Sequence, residues 1–175
     1  MKRVTLLVLS DSHSRADRVR EVIQSHRRAD TVLFLGDGMR DLDLLDADDF
    51  SRVCAVRGNC DGFSFLSADT PTERLLRFGD YTVLMMHGHT HDVKSGLGRA
   101  VAYAAERGAD VLVFGHTHVA QEQYLPEGTS VGGVTLSKPL YVLNPGSIGK
   151  PMGDRPTFGL IDLGKQGILL SHGHL

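Results

Sequence analysis

Hydrophobic positions in this chain come in short unbroken runs, and each run ends in a polar loop. Residues 4–9 read VTLLVL, 30–35 DTVLFL, 52–56 RVCAV and 110–114 DVLVF. Apolar runs of this kind predict strands covered on both faces. Helical spacing separates them. Val19, Val22 and Ile23 follow Ser14 and Asp17, whose spacing resembles a capping box, and predict a helix toward His26. Leu97, Val101, Ala104 and Ala105 predict another helix between Lys94 and Arg107, with Gly108 as its stop. The acidic stretch over 41–46 predicts a short helix whose charges face water.

Residues 73–78 and 81–86 flank Gly79-Asp80 and predict an antiparallel hairpin. After His118 the pattern turns mainly to strands, at 119–124, 132–136, 140–143, 157–163 and 167–170. Asn144-Pro145-Gly146-Ser147 reads as a turn that could close one wall of a site, and His172 and His174 are expected to fray. The pattern is that of an α/β protein.

With 175 residues, no linker and no charge block, one domain over 1–175 is expected. Apolar content of 41% and charged content of 23% are ordinary for a soluble globular chain. A formal charge of −2 gives no broad basic footprint, so long nucleic acid is not an expected partner. No segment reaches the roughly twenty apolar residues that span a bilayer, so no membrane association and a cytoplasmic location are expected. Cys54 and Cys60 fit neither a disulfide framework nor a zinc-thiolate spacing. Cys54 reads as a small buried hydrophobe.

The chemistry gathers where strands stop. Asp11, His13, Asp37, Asn59, His87, His116 and His118 all follow directly on predicted strands, and the segment Phe114-Gly115-His116-Thr117-His118 carries two imidazoles one residue apart. Ligands of open α/β sheets collect beyond the carboxyl ends of the strands, so these positions converge. Singly, each has a plainer reading: Asp11 and Asp37 as helix caps, Asn59 as a left-handed turn residue, the histidines as loop hydrogen-bonders. Seven such placements together point to metal. Carboxylate, amide and imidazole donors without thiolate suit Mn²⁺, Fe²⁺, Zn²⁺ or Ni²⁺, and seven donors exceed what one tetrahedral ion needs.

The ordered motifs Asp11-x-His13, Gly36-Asp37, Gly58-Asn59, His87-Gly88-His89 and Gly115-His116-Thr117-His118 resemble the calcineurin-like metallophosphoesterases. The size and the run Val56-Arg57-Gly58-Asn59-Cys60-Asp61 look most like the small prokaryotic YfcE-type phosphodiesterases. The resemblance implies a four-layer αββα sandwich with a dinuclear metal site at the strand ends. It implies that Asp11, His13, Asp37 and His118 hold one ion and that Asp37, Asn59, His87 and His116 hold the other, with Asp37 bridging. Two divalent ions, Mn²⁺ first among them, would supply a bridging hydroxide that attacks a small phosphodiester in line. Asp37, Asn59 and His89 are the expected catalytic residues, and Asp61, like His89, is a candidate either for orienting the ligands from behind or for contacting substrate. A homodimer is implied by the resemblance alone.

One position departs from the larger family, where many members carry histidine after the motif asparagine to assist the leaving group. Here it is Cys60, which predicts a preference for diesters with acidic leaving groups. The competing reading is a catalytically weak protein-binding scaffold, as in the retromer subunit of this fold. That subunit departs from the last histidine pair, whereas every ligand position here holds a competent donor.

Overall fold

The computed structural model describes residues 2–62 and 66–175. Two five-stranded mixed sheets stack face to face, with helices on both outer faces, as the resemblance implied. In the first sheet, β1 (Val4–Leu9) lies parallel to β2 (Thr31–Phe34), and β2 parallel to β3 (Val53–Ala55). β11 (Thr157–Gly164) and β12 (Gly167–His174) extend it antiparallel beyond β1. In the second, β5 (Tyr81–Met86), β6 (Val111–Phe114) and β10 (Leu140–Pro145) run parallel. β4 (Glu73–Phe78) and β7 (Ala120–Leu125) border them antiparallel, and β8 (Ser130–Val131) pairs β9 (Val134–Thr135) in a small separate ribbon.

The unbroken apolar runs follow from this layering, because successive side chains of a strand point to opposite faces. Leu6 and Val8 of β1 meet Val83, Met85, Val111 and Val113 between the sheets. Leu7 and Leu9 face outward onto Val19, Val22 and Ile23 of helix α1 (Ala16–Ser25). On the far side Leu84, Met86, Leu112 and Phe114 pack against Ala100, Val101 and Ala104 of α4 (Gly98–Glu106). A strand apolar on one face only could not serve two layers.

Several local expectations are corrected. Ser14 does not cap α1: its φ is +71° and its N–H donates to the Asp41 carboxylate at 3.0 Å, while Arg15 occupies the cap position. The acidic stretch is not one helix facing water but the end of α2 (Met39–Leu42) and the approach to α3 (Ala47–Phe50). Asp41 is buried, where it accepts a hydrogen bond from the Ser12 hydroxyl, and Asp46 caps α3 through Asp49 N–H at 2.8 Å. Helix α4 starts only at Gly98, beyond Gly96 with φ of +144°. Asn144 and Pro145 lie inside β10, paired with Gln121 and Ala120, so the turn begins at Gly146. Nor does the end fray, since β12 runs on to His174. Cys54 is half-buried against the core between the sheets, in keeping with its reading as a small hydrophobe. No helix among the described residues is long and apolar enough to cross a membrane.

Candidate metal centre

Five parallel strands, β1, β2, β3, β5 and β6, end on the same side of the sandwich, and their following loops are tied to one another. Asp11 N–H donates to Gly36 carbonyl at 2.9 Å, His13 N–H to Asp37 carbonyl at 3.1 Å, and Gly115 N–H to His87 carbonyl at 3.1 Å. His116 N–H crosses from the second sheet to the Asp11 carboxylate at 3.0 Å. The loops press backbone against backbone. A Cβ on Gly36, whose φ is +95°, would stand 2.4 Å from Gly58 N, so only glycine fits there.

Asp11, His13, Asp37, His116 and His118 all adopt left-handed backbone, with φ between 42° and 66°. For non-glycine residues this costs roughly 1–2 kcal/mol each, a strain that persists only where surrounding contacts impose it. Asp61 imposes much of it at Asp37. Its buried carboxylate accepts from the N–H groups of Asp37, Gly38, Met39 and Gly58 at 2.7 to 2.9 Å. Of the two roles expected for Asp61, the one it fills here is that of a support, clamping two ligand-bearing loops together.

Six of the expected donors fall into two groups of three, Asp11 with His13 and His118, and Asp37 with His87 and His116. Within each group the ligand atoms lie within 4.8 Å of one another. Asp37 Oδ2 stands 3.3 Å from His87 Nε2 and 4.0 Å from His13 Nε2, so one oxygen borders both groups. Its other oxygen accepts from Cys60 N–H at 2.8 Å. Asn59 follows Gly58 at the lip of the site, exposed, with its amide nitrogen 3.3 Å from Cys60 Sγ. The His89 ring lies 5.3 Å from that of His87 and 6.2 Å from that of His116, and its buried Nδ1 has no hydrogen-bond partner.

The donors fit cations. His87 Nδ1 lies 2.7 Å from Leu35 carbonyl and His118 Nδ1 2.7 Å from Lys150 carbonyl, so each of these nitrogens carries its proton. Their Nε2 lone pairs then face inward, at His116 Nδ1 (3.1 Å) and His13 Nε2 (3.2 Å) and at carboxylate oxygens. Asp11 Oδ1 is buried without a hydrogen bond, 3.1 Å from His118 Nε2. The ring-nitrogen pairs can be satisfied by a choice of tautomer, but where Nε2 faces a carboxylate oxygen two acceptors meet, and a proton or a metal ion between them relieves the repulsion.

Proton affinities carry the same imprint. His118 is raised by the Asp11 carboxylate 3.1 Å away, which favours the protonated ring, against burial. At His87 burial is the largest influence and lowers the value, but Asp37 and Asp11 together outweigh it and the net shift is upward. Burial lowers His13, lowers His89 with help from His87, and takes His116, beside His87, down to about 4. Asp37 ends well below the usual carboxylate range. Burial would raise it, but His87 and the Cys60 N–H prevail. Cys60 is pushed up to about 11, by burial and then by its contact with Asp37.

The segment from Asn144 to Ser147, expected to close one wall of a site, braces it from the β10 side, whereas the contribution of His172 was not expected. Asn144 Nδ2 donates to Gly115 carbonyl at 3.0 Å and to Thr117 Oγ1 at 2.9 Å, bracing the histidine loop, and the Ser147 hydroxyl donates to Asp11 carbonyl at 2.7 Å. His172 in β12 donates in turn to Asn144 carbonyl at 2.7 Å. Alternation of Ile168, Leu170 and His172 was the available signal. His26 and His91 are structural, packing on Phe158 and Tyr103 with rings 4.8 Å apart in each case. A hollow of about 620 Å³ at the β11–β12 turn among Arg3, Asp162 and Lys165 holds neither of the donor groups found among the described residues.

Residues 4–166 match the calcineurin-like phosphoesterase superfamily domain. The chain belongs to that family. It is 30% identical to the probable metallophosphoesterase YsnB of Bacillus subtilis, over 85% of this chain and 77% of that one. A predicted phosphoesterase from Streptococcus pneumoniae, solved as a crystal structure, superposes with a TM-score of 0.77 at 25% identity, covering 98% and 90% of the two chains. Two more distant structures share the fold. Vacuolar Protein Sorting 29 from Cryptosporidium parvum has a TM-score of 0.68 at 17% identity, over 99% and 98% of the chains. YfcE, a phosphoesterase from E. coli, has a TM-score of 0.61 at 21% identity, over 97% and 98%. This family comprises metal-dependent phosphoester hydrolases, and the donor groups described above are where such metals would bind.

Proposed function

We propose that this protein is a phosphodiesterase dependent on two divalent ions, Mn²⁺ first among them, acting on small phosphodiesters. The observation that carries this reading is the Asp37 oxygen bordering both donor groups, because one bridging carboxylate lets six or seven donors serve two ions. Asp11, His13 and His118 would hold one ion with Asp37, and His87, His116 and Asn59 the other. Bound there, the ions would supply an acidified water and a positive field for the phosphate. The chain's own residues do the rest.

Leu35 and Lys150 carbonyls fix the His87 and His118 tautomers so that Nε2 faces the centre. The Asp61 carboxylate, accepting from Asp37 N–H, and the Cys60 N–H, donating to the Asp37 carboxylate, hold Asp37 in place. His89, which burial biases toward its neutral form and whose ring lies 5.3 Å from that of His87, would contact the phosphate. Cys60, neutral with a value about 11, is a weak proton donor, so leaving groups that need no proton are favoured.

The test is a screen of phosphomonoesters against diesters with the Mn²⁺-loaded protein, beside Asp37→Asn. We expect bis(4-nitrophenyl) phosphate to be cleaved, and the variant to lose about 10²–10³ in kcat with its fold retained by circular dichroism. Equal rates would remove the mechanism. A protein-binding scaffold, the alternative suggested by the shared fold of Vacuolar Protein Sorting 29, would bind metal without turning over any diester.

A further inference from the structure

The donor cluster has a cavity on each of two flanks, and the two share no lining residue. One, about 180 Å³, is walled by His13, Asp37, Gly38, Arg40 and Cys60 and also by Asp41 and Asp61, whose carboxylates are already engaged by the Ser12 hydroxyl and Ser14 N–H and by four backbone N–H groups. The second, about 490 Å³, is walled by Lys94, His116, Thr117, His118 and Met152. Each holds one basic side chain. Among the described residues neither the Arg40 guanidinium nor the Lys94 ammonium has a hydrogen bond or ion pair, whereas Arg3, Arg15 and Lys138 all have carboxylate partners.

Two more cations complete the surround. Lys150 lies within electrostatic reach of His13 and Arg57 of His89, as Lys94 does of His116 and His118. Arg40 sits on α2, Arg57 after β3, Lys94 after β5 and Lys150 after β10, so four separate segments bring positive charge to one rim. The chain as a whole carries a formal charge of −2, so this is a local arrangement and not a general excess of base. Charges of one sign gathered without partners repel, and a bound anion relieves them.

A diester phosphate has one substituent on each side of phosphorus, and its single charge would be met at the centre. Cations in the flanking cavities lie beyond that charge. They have nothing to bind in a diester with uncharged arms. The planar fork of Arg40 matches phosphate oxygens, and Met152, 74% exposed at the mouth of the larger cavity, offers a thioether for contact with a flat aromatic ring such as a nucleobase. Positive charge confined to the rim limits the ligand to a few phosphates.

Building on the phosphodiesterase reading above, we propose that the substrate is a diester with a further phosphate on each arm, a short oligonucleotide, held by Arg40 on one flank and Lys94 on the other. The test compares the 5′-phosphorylated trinucleotide with bis(4-nitrophenyl) phosphate, using the Mn²⁺-loaded protein and its Arg40→Gln and Lys94→Gln variants. The ratio of the two kcat/KM values is expected to fall roughly tenfold in each variant, the worth of one hydrogen bond to a charged group at its lower end.

A second readout needs no turnover. Calorimetric binding of the trinucleotide to Asp37→Asn protein, over a series of salt concentrations, should show a log K against log salt slope that flattens by about 0.7 when either cation is also removed. If bis(4-nitrophenyl) phosphate is cleaved but the ratio and the slope stay put, or the trinucleotide fails to bind, the flanking-phosphate inference is overturned and the hydrolase reading stands. Cleavage of neither substrate overturns both.

Discussion

In the half of the centre built from Asp37, His87 and His116, the carboxylate and one imidazole are buried and both are tied to backbone. In the half built from Asp11, His13 and His118, only the carboxylate is buried, the one anchored imidazole leans on a carbonyl at the exposed edge, and His13 has no anchor. A ligand already fixed loses little freedom when an ion arrives, and a dry site strengthens its attraction. The difference teaches which half grips and which exchanges: the Asp37 half is expected to bind its ion more tightly, the Asp11 half to open first to solvent and substrate.

The most severe challenge to that ranking is a pair of substitutions. His87→Ala should abolish the tighter of two binding events in a metal titration and take hydrolysis with it, whereas His13→Ala should remove only the weaker event. The same event lost in both would show that the halves are equivalent. Next in size, Asp61→Asn leaves at least two of four buried amides facing an NH₂ group or nothing. We expect a 10- to 100-fold weaker metal affinity, the usual range for groups that orient ligands, concentrated on the Asp37 half, together with a lower thermal midpoint.

Fold and site were legible to different depths. Strands such as 4–9 and 110–114 showed because covering by two layers leaves no polar alternate, and the donors showed because they follow those strands. Contacts that join distant segments did not show. Ser14 carries a capping signal, but its N–H is drawn to Asp41, 27 positions away, and its backbone turns left-handed. Asp41 looked solvated within an acidic run because Ser12, its partner, lies in another loop. Asp61 read equally as a support for the ligands or as a substrate contact, because nothing local announces four amides converging on it. Asn144-Pro145 carries turn residues, yet the end of β10, beyond its pairing with β6, accommodates proline where no ladder donor is needed.

A gentler probe of the two halves is their proton content. His87 and His118 are raised above the ordinary 6.5, so each still holds its proton to a higher pH than a free imidazole, while His116 and His13 are lowered and give theirs up sooner. An ion needs the neutral ring, so it must expel the raised proton in each half. Metal affinity should therefore weaken as pH falls, beginning above pH 6.5, and calorimetry in buffers of different ionisation enthalpy should detect proton release near pH 7 that vanishes at alkaline pH. Affinity independent of pH over that range would contradict it. The smallest effect concerns Cys60→His, which changes no donor. It should raise turnover of diesters with poor leaving groups by about tenfold, short of the 10²–10⁴ that a fully positioned acid supplies, and leave acidic leaving groups unaffected.

Five of the donors sit in left-handed backbone that a free chain avoids. A peptide copied from any one of these motifs would therefore not reproduce the grip, because the surrounding sheets and clamped loops are what impose it. The expected order is that the scaffold folds first and takes up ions afterward, unlike a zinc finger, which collapses when its ion is withdrawn. A preparation stripped by chelator should keep its architecture and reload directly, without passing through an unfolded state.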